Sequence, residues 1–400
     1  MHKNTREEDI YRLISRHQKM RPKNMLNDFI ELMQRLNNPH ERLPRTIHVA
    51  GTNGKGSTIS FLKSILQEGG YRVHRYTSPH LLSICERIQM DGKDIPVERL
   101  WNTLNEVVKN SAGLSLHYFD FLTAAAFMEF AREPADYLLL ECGLGGKFDN
   151  TNIIQNPIAT ILTQIAMDHM DVLGKSLQEI AQQKAGIIKP HSPTITLPHK
   201  PEIIDLIREE CDKKQSFLHI IENEYNGEMG LIGNHQKQNA ALAALTASLI
   251  TPLPKGIIAE GIKKAQWPGR MQKIIHKNRS IVVDIAHNPS GLQATIQTME
   301  EMAKQPFHVI FSLRQTKDLE AFLRILANTP HRLSYVTNFE TLEIHSAPKV
   351  EEICKRLHIT CEFHPDLPTA IHSTPSEQIL ITGSVSLVSQ ALQLDETILV

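Results

Sequence analysis

The chain lacks the features that mark a secreted, membrane-bound or nucleic-acid-binding protein. Its 400 residues include 5 cysteines, and none of these forms a C-x-x-C pair, so we expect neither a disulfide framework nor a zinc knuckle. No apolar run approaches the roughly 20 residues that cross a bilayer. The formal net charge is -1, which argues against nucleic-acid binding because that function needs a basic surface. No internal repeat or low-complexity tract is present.

Length and composition are those of a two-domain globular protein. The composition is 41% hydrophobic and 22% charged, which is ordinary for a globular chain. A chain of 400 residues exceeds what one hydrophobic core usually serves, so two domains are expected. The stretch from Met1 to Asp9 is polar and mixed in charge, so we expect no signal peptide. We therefore expect a soluble cytoplasmic protein with no nucleic-acid or membrane partner.

The most informative stretch reads T-I-H-V-A-G-T-N-G-K-G-S-T and begins at Thr46. An apolar strand leads into a glycine-rich turn, and a helix follows. Glycines let the backbone turn its N–H groups towards a polyphosphate, and the helix N-terminus adds partial positive charge. Lys55 is placed to reach the terminal phosphates, and the following hydroxyls are placed to help hold a metal ion. The spacing differs from G-x-x-x-x-G-K-[ST], but we still predict that the turn binds a nucleoside triphosphate.

Apolar strands alternate with amphipathic helices, which predicts an α/β fold with a parallel sheet covered by helices on both faces. In the first half, strands are predicted at 45–50, 71–76, 136–142 and 158–165, and helices at 57–67, 97–111 and 121–132. After W-P-G-R the alternation restarts, with strands at 280–285, 308–311, 333–337 and 378–382. The accompanying helices are predicted at 291–303, 319–327, 350–357 and 385–392. We place the domain boundary near residue 270, with a larger domain at 1–270 and a smaller one at 271–400.

Polar residues at predicted strand ends are the candidates for chemistry, because ligands of parallel sheets collect at the carboxyl ends of the strands. Pro79 forces Ser78 out of the α region and presents its hydroxyl. Glu141 ends an apolar strand just before G-L-G-G-K, where a metal-binding carboxylate of a nucleotide enzyme belongs. A salt-bridged strand end is the plainer alternative for Glu141. The neighbouring A-M-D-H-M-D, with Asp168 and His169, is equally compatible with a polar loop and with a metal site.

Four further residues are candidates for a functional role. Lys184 is surrounded by apolar and small residues, but a lysine at a helix end commonly caps the helix or meets solvent. Asp284 and His287 place an acid and an imidazole between a strand and a helix. Arg270 lies at the domain junction, where it either reaches a phosphate bound to the first domain or forms an interdomain salt bridge.

Taken together, these motifs resemble the folylpolyglutamate synthase and dihydrofolate synthase family of the Mur ligase superfamily. The matching segments follow the family order and are NNPHERLPRTIHVAGTNGKGST, YTSPHL, ERIQMDGKDI, FDFLTAAAF, ECGLGGKFDNTN, DHMDVLG, IAQQKAGIIKP, GNHQKQNAALAAL, WPGRMQ, DIAHNP and LITGS. The G-T-N-G-K-G-S loop marks the superfamily, whereas TSPHL, GNHQ-x-x-NA, WPGR and AHNP point to the folate branch. The resemblance implies a P-loop parallel-sheet ATP-binding N-terminal domain and a smaller Rossmann-like α/β C-terminal domain.

The resemblance also implies an ATP-dependent amide ligase. In such enzymes ATP phosphorylates a substrate carboxylate, and the amino group of L-glutamate then attacks the acyl phosphate. Magnesium and cationic side chains offset the charge as one anion attacks another. The implied acceptors are a folate such as tetrahydrofolate, dihydropteroate, or both, and we expect a monomer.

Three alternatives stay open at this point. One is a superfamily ligase that joins an amino acid to a cell-wall precursor, and FDFLTAAAF and TSPHL argue against it. Another is an ATP-binding paralogue or regulator whose catalysis is impaired. The third is a P-loop kinase, which the lysine–glycine–serine spacing disfavours.

The resemblance assigns roles residue by residue. The residues implied to bind the ATP phosphates form one loop: Gly51, Thr52, Asn53, Gly54, Lys55, Gly56 and Ser57. Those implied to complete the ATP site across the domain junction are Asn239, Arg270 and Asp284, with His287 close to the phosphates or substrate. Two magnesium ions are implied, the first held by Ser78 and Glu141 and the second by His169. The implied catalytic residues are Lys55, His287 and Lys184, the last as a carbamylated lysine that supports the second ion. Those implied to face the pterin end of the substrate are Phe119, Asp120, Lys147, Phe148 and Asp149.

The chain departs from the family pattern at several positions. Gln183 stands where the family usually has glutamate, and Ile285 stands where it usually has glycine. Lys147 replaces a common arginine, whose hydrogen-bonding geometry differs. The stretch 190–233 is shorter than the family norm, and residues 338–343 replace a segment rich in arginine and proline.

Overall fold

A mainly parallel β-sheet organises each of two units in the computed structural model, which describes residues 5–19, 26–277, 279–338, 343–394 and 397–399. The first unit comprises Met1–Ala166, Leu173–Gly230 and Lys237–Gln266, and the second comprises Met167–Val172, Leu231–Gln236 and Trp267–Val400. The predicted α/β class is confirmed for both units. That residues 1–270 form the ATP-binding domain and residues 271–400 the C-terminal Rossmann-like ligase domain stays a prediction.

Helices cover the sheet of the first unit. Its described helices are α1 (Thr5–His17), α2 (Asn27–Arg35), α3 (Lys55–Glu68), α4 (Val97–Asn110), α5 (Tyr118–Arg132), α6 (Leu177–Ala185), α7 (Pro201–Lys214), α8 (His235–Ile250) and α9 (Lys255–Lys264), although the first two residues of α8 belong to the second unit. Its described strands are β1 (Arg45–Ala50), β2 (Val73–Tyr76), β3 (Ile88–Met90), β4 (Lys93–Asp94), β5 (Tyr137–Glu141), β6 (Ala159–Leu162), β7 (Thr194–Thr196) and β8 (Leu218–Ile220).

The strand order of the first sheet, β4-β3-β2-β5-β1-β6-β7-β8, places β1 in its interior. Strand β1 pairs in parallel with β5 on one side and with β6 on the other. The register sets Val49 opposite Glu141 and Ala50 opposite Leu162. The glycine-rich turn after β1 therefore leaves the carboxyl edge of the sheet directly beside Glu141, which is the position of ligand sites in parallel sheets.

Strands β3 and β4 differ from the all-parallel expectation, because they form an antiparallel hairpin at one edge of the sheet. The turn between them is Asp91-Gly92, with φ of 46° and 82°. Two consecutive positive φ angles characterise the type I′ hairpin turn, for which Asp-Gly is a preferred sequence. The flanking strands are too short to show an alternating pattern of apolar and polar residues. The Asp-Gly dipeptide is therefore the sequence feature that indicates this hairpin.

The apolar core of the first unit lies between one face of the sheet and helices α1, α2, α4 and α5. Aromatic side chains fill much of it, including Phe29, Phe121 and Phe127, all fully buried. They pack against sheet residues such as Leu138 and Leu140. Helix α5 is apolar nearly all round, as expected for a helix buried on several sides.

The second unit repeats the strand–helix alternation on a smaller scale. Its described strands are β9 (Gln272–His276), β10 (Arg279–Val283), β11 (His308–Phe311), β12 (Arg332–Val336), β13 (Cys361–His364), β14 (Gln378–Thr382) and β15 (Thr397–Leu399). Its described helices are α10 (Pro289–Ala303), α11 (Leu319–Ala327), α12 (Ala347–Arg356), α13 (Leu367–Ser373) and α14 (Val385–Leu392).

The sheet of the second unit has the order β13-β12-β11-β14-β10-β9-β15. Strand β9 pairs in antiparallel orientation with β10 on one side and with β15 on the other. The other strands are parallel, so the segments after β10 and β11 leave the same edge of this sheet. Of the predicted departure at 338–343, residues 339–342 lie outside the described residues. None of the described helices combines the length and apolar character that a membrane span requires.

Helix α6 is fixed at its start by a capping box. The Ser176 hydroxyl accepts the Glu179 N–H at 3.2 Å, and the Glu179 carboxylate accepts the Ser176 N–H at 3.1 Å. This reciprocal pair satisfies two N–H groups that a helix start otherwise leaves without partners. The cap fixes the helix that carries Lys184, one of the predicted site residues, near its other end.

Replacing Ser176 with alanine should destabilise α6 by ~1 kcal/mol, because one arm of the capping box is lost. Hydrogen-exchange mass spectrometry should then show about 5-fold faster exchange of the α6 amides. Ser248→Ala is the matched control, because Ser248 lies exposed within α8 and bonds only to the carbonyl of the preceding turn. Equal exchange of α6 in Ser176→Ala and wild type would contradict this account of the cap.

Candidate functional site

The turn after β1 requires glycine at two positions. Gly51 has a φ of 154° and Gly54 a φ of 87°, values that side-chain-bearing residues rarely adopt. A Cβ atom on Gly51 would lie 1.8 Å from the Thr163 hydroxyl oxygen, and one on Gly54 would lie 2.4 Å from the Asn239 side-chain oxygen. The turn is therefore packed directly on its neighbours, and Asn239 of α8 lies beneath it.

Hydrogen bonds to the segment after β6 hold this turn in place. The Thr52 N–H donates to the Gln164 carbonyl at 2.7 Å, and the Thr52 hydroxyl donates to the Ala166 carbonyl at 3.0 Å. The Thr163 hydroxyl donates to the Asn53 carbonyl at 2.8 Å. Helix α3 follows with Gly54 as its N-cap and no side-chain cap. Such a helix start presents N–H groups and partial positive charge to an anion.

Lys55, Glu141 and Ser78 form a linked group at this edge of the sheet. The Lys55 ammonium donates to the carbonyls of Gly51 at 3.2 Å and Thr52 at 3.3 Å, and it lies 3.8 Å from the Glu141 carboxylate. The other oxygen of Glu141 accepts the Ser78 N–H at 3.1 Å. Glu141 is only 4% exposed. The structure thus brings together three of the predicted nucleotide and metal residues.

Lys184 lies beneath the same turn. Its side chain is buried, and its ammonium donates to the Gly51 carbonyl at 2.8 Å. The loop G-L-G-G-K packs on the end of α6, where the Lys147 N–H donates to the Gln183 carbonyl at 2.7 Å. A Cβ on Gly146 would lie 2.6 Å from the same carbonyl. The departure at Gln183 therefore leaves this main-chain contact intact.

Two of the five residues predicted to face the pterin are buried acids that bind the backbone. Asp120 is fully buried and accepts the His117 N–H at 2.5 Å as part of a capping box at the start of α5. Asp149 accepts the N–H groups of Leu144 at 2.9 Å and Thr151 at 3.0 Å. Burial raises the pKa of Asp149, although these hydrogen bonds oppose the rise. Both carboxylates fix the local backbone.

The other three predicted substrate residues lie closer to the surface. The Phe119 ring packs against Gly143, where a Cβ atom would lie 2.5 Å from the ring. Lys147 is exposed, and its ammonium lies 5.3 Å from the centroid of the Phe148 ring. This arrangement is a cation–π contact. That these three side chains face the pterin end of a substrate stays a prediction.

In the second unit, Asp284 organises the backbone that follows β10. Its carboxylate accepts the N–H groups of Met271 at 3.0 Å and Ala286 at 2.9 Å and the Thr295 hydroxyl at 3.0 Å. Nearby, the Arg270 Nε and the His235 Nδ1 are buried, and neither has a hydrogen-bond partner among the residues that the structure describes. Unsatisfied buried donors and acceptors carry a free-energy cost unless water or a ligand supplies the missing hydrogen bond.

A second cluster of the same unit centres on Asp168. The Lys317 ammonium contacts its carboxylate at 2.7 Å, and the Asn288 amide donates to it at 3.0 Å. His287 lies 3.7 Å and His169 3.9 Å from the same carboxylate. Burial opposes ionisation of Asp168, but Lys317 and the two imidazoles outweigh it, so the pKa of this carboxyl lies well below its usual range.

His287 is held as a neutral ring. Its Nδ1 lies 2.9 Å from the Ile285 carbonyl, which can only accept, so Nδ1 carries the proton. Burial and the nearby Lys317 ammonium lower the pKa of His287 to about 4. The cluster therefore brings the predicted residues His169 and His287 together. Lys317 was not among the predicted site residues. Its position shortly after β11, near the end of a parallel strand, is the sequence feature that could have indicated it.

The predicted metal residues suit magnesium better than a metal ion that is bound by protein side chains alone. The described residues contain no group of three or more His, Cys, Asp or Glu side chains placed to hold a metal ion. Mg²⁺ typically binds one or two carboxylates and completes its shell with phosphates and water. Glu141 is a carboxylate of this kind, next to the glycine turn and with the Ser78 N–H bonded to it. This donor set is compatible with magnesium bound to a nucleotide, and the assignment of these residues stays a prediction.

Comparison with known proteins gives a consistent result along the chain. The family model "Mur ligase middle domain" matches residues 49–214, and "Mur ligase, glutamate ligase domain" matches residues 269–385. The chain is 33% identical to a dihydrofolate synthase/folylpolyglutamate synthase of Bacillus subtilis, over 90% of the chain and 92% of that protein.

Solved structures resemble the whole fold. A folylpolyglutamate synthase of Mycobacterium tuberculosis complexed with ADP has a TM-score of 0.87 at 25% identity, covering 97% of this chain and 98% of that one. E. coli FolC in complex with DHPP and ADP has a TM-score of 0.85 at 26% identity, covering 97% of each chain.

Replacing Gly54 with alanine should lower ATP affinity by at least about 10-fold, because the new Cβ displaces Asn239 and the turn. Gly70→Ala is a matched control, since Gly70 has a similar φ of 83° but nothing within 4 Å of the added Cβ. Both variants should lose ~1 kcal/mol of stability through the left-handed conformation. Calorimetric titration with ATP measures the difference, and equal ATP affinities in the two variants would contradict the packing argument.

Proposed function

The chain belongs to the folylpolyglutamate synthase and dihydrofolate synthase family of Mur ligases, and we propose that it adds L-glutamate to the carboxylate of a folate or of dihydropteroate. It is an ATP-dependent, ADP-forming amide ligase. A carboxylate is a poor electrophile, so the γ-phosphoryl group of ATP is transferred to it first. The amino group of glutamate then attacks the acyl phosphate, and phosphate leaves as the amide forms.

The observation that carries this proposal is the linked group of Lys55, Glu141 and Ser78 beside the glycine turn. It places a cation 3.8 Å from a buried carboxylate whose other oxygen is held by a backbone N–H. Opposite charges so close to a helix start suit a site that binds polyphosphate and magnesium together. Glu141 and the Ser78 hydroxyl would hold the ion, which would neutralise phosphate charge during phosphoryl transfer.

The protein groups of the first unit would bind and orient the phosphates. The N–H groups of the turn and of the first turn of α3 would donate to phosphate oxygens, and Lys55 would exchange its carbonyl partners for a phosphate. Lys184 keeps its proposed role as a carbamate that supports a second ion. A carbamylated nitrogen retains one hydrogen, so the bond to the Gly51 carbonyl is compatible with that modification.

Residues of the second unit keep their predicted roles as proposals. Arg270 would donate to phosphate, which the unsatisfied Nε atom supports. His169 would bind the second metal ion, and the neutral ring of His287 would present its Nε2 towards phosphate or substrate. Asp284 holds the backbone around Arg270 in place through the Met271 N–H.

We further propose that the ligase acts as a monomer in the cytoplasm. All five cysteines are unpaired thiols in the structure, as suits a reducing compartment. Sedimentation of the purified protein in the presence of ATP tests the oligomeric state.

Purified protein given ATP, magnesium and glutamate should release ADP only when a folate-type acceptor is present. Dihydropteroate and tetrahydrofolate are offered separately, and mass spectrometry should show a product heavier by one glutamyl residue for at least one of them. A UDP-linked cell-wall precursor serves as the comparison acceptor. Ligation to that precursor alone would favour another Mur-type ligase, and ATP binding without turnover of any acceptor would favour an impaired paralogue.

Glu141→Gln should reduce glutamate-dependent ADP release by about 100-fold or more, because the neutral amide no longer binds magnesium well. The Gln oxygen can still accept the Ser78 N–H, so the fold should be retained. Glu260→Gln is the matched control, since Glu260 lies on the surface of α9 in an ion pair with Lys264. Turnover of Glu141→Gln at the wild-type rate across a magnesium titration would overturn the assignment.

A further inference from the structure

The loop that follows β2, residues 77–83, is held by acids at both ends. Glu141 accepts the N–H of Ser78 at 3.1 Å. At the other end the Glu86 carboxylate accepts the N–H groups of Leu81, Leu82 and Ser83, each at 2.8 Å. These bonds fix the backbone but leave the middle of the loop, at His80, to be held by other groups.

His80 is held through both ring nitrogens. The Arg87 Nε–H lies 2.9 Å from the His80 Nδ1. A guanidinium can only donate, so Nδ1 accepts and the proton of the neutral ring is on Nε2. That Nε2 lies 3.0 Å from the hydroxyl oxygen of Tyr11 and therefore donates to it. Arg87, His80 and Tyr11 form one directed chain of hydrogen bonds.

Tyr11 comes from helix α1, 69 residues earlier in the sequence. Its ring is nearly parallel to that of Tyr118, with centroids 6.4 Å apart and an interplanar angle of 3°. The Arg87 guanidinium lies 5.7 Å from the centroid of Tyr118. A second contact from α1 is the Glu7 carboxylate, which accepts the Ser83 hydroxyl at 2.7 Å. Helix α1 therefore contacts the loop twice and the start of α5 once.

These contacts connect the loop that carries the proposed metal ligand Ser78 with the start of α5, which is predicted to face the pterin end of the acceptor. The loop carries Ser78, and Tyr118 precedes Phe119, which packs near Gly143 and lies 6.0 Å from Tyr76 between ring centroids. The phosphate-binding turn is held by a different set of contacts, with residues 163–166 and Asn239. Ser78 is held separately, by the bond of its N–H to Glu141. A change at Tyr11 therefore acts first on His80 and on the start of α5, and not on the turn.

We propose that Tyr11 is a positioning residue that sets the affinity of the ligase for its folate-type acceptor by holding His80 and the start of α5 in fixed positions relative to each other. This inference rests on the proposed function, since it assumes that the acceptor binds between the loop and α5. The hydroxyl contacts His80 and also hydrogen-bonds Tyr118, and the ring stacks on that of Tyr118. Tyr11 itself acts through these neighbours.

Tyr11→Phe tests the role of the hydroxyl because the ring and its stacking are kept. The acceptor is whichever of dihydropteroate and tetrahydrofolate the wild type ligates. Loss of the hydroxyl's hydrogen bonds to His80 and Tyr118 should raise the KM for that acceptor by about 2- to 10-fold. The KM for ATP should stay at the wild-type value. Tyr71→Phe is the matched control. The Tyr71 hydroxyl also forms a hydrogen bond, to the Thr251 hydroxyl at 2.8 Å, but Tyr71 precedes β2 and lies outside the loop that follows this strand.

A binding measurement separates failure of this inference from failure of the proposed function. Calorimetry gives the Kd of the same acceptor for wild type, Tyr11→Phe, His80→Asn and the double variant. The two single changes should be non-additive, because they break one interaction. Acceptor binding and KM unchanged in Tyr11→Phe would overturn the inference alone. Absence of binding of both acceptors to the wild type would overturn the proposed function and this inference with it.

Discussion

The carbonyl oxygen of Gly51 is the point on which the proposed ATP site of the first unit depends. It accepts the Lys184 ammonium at 2.8 Å and the Lys55 ammonium at 3.2 Å. While Lys184 is an unmodified ammonium, as in this structure, two cations share one neutral oxygen and repel each other, and Glu141 offsets that repulsion only in part from 3.8 Å. The remaining positive potential lies next to the start of α3, where the helix dipole adds to it. An anion with several charges is therefore the ligand that this group of residues favours.

Buried carboxylates give the loops of both units their shape. Asp120, Asp149 and Asp284 each accept backbone N–H groups, and Glu86 does the same for the loop after β2. A carboxylate that accepts two or three N–H groups holds irregular backbone that no sheet or helix ladder can satisfy. In this ligase the acids therefore divide into those that form loops and one, Glu141, that also faces the proposed magnesium site.

The sequence was sufficient for the fold class, the family and the central strands, because β1, β5 and β10 are buried apolar runs that lead directly into marked turns. It was insufficient where contacts depend on distant segments. Residues 167–172 and 231–236 belong to the second unit although in the sequence they lie between segments of the first unit, and no local pattern indicates that. Lys317 and Tyr11 likewise look like ordinary surface residues until the chain is folded. The roles predicted for the site residues remain predictions.

The hairpin of β3 and β4 has a consequence for how the protein behaves at high concentration. Its outer strand forms one edge of the first sheet and consists only of Lys93 and Asp94, both exposed. A two-residue charged edge offers few backbone groups to a strand from another molecule and makes such an approach electrostatically costly. The parallel core next to it, which is rich in apolar residues, is thereby shielded from intermolecular β-polymerisation on that side.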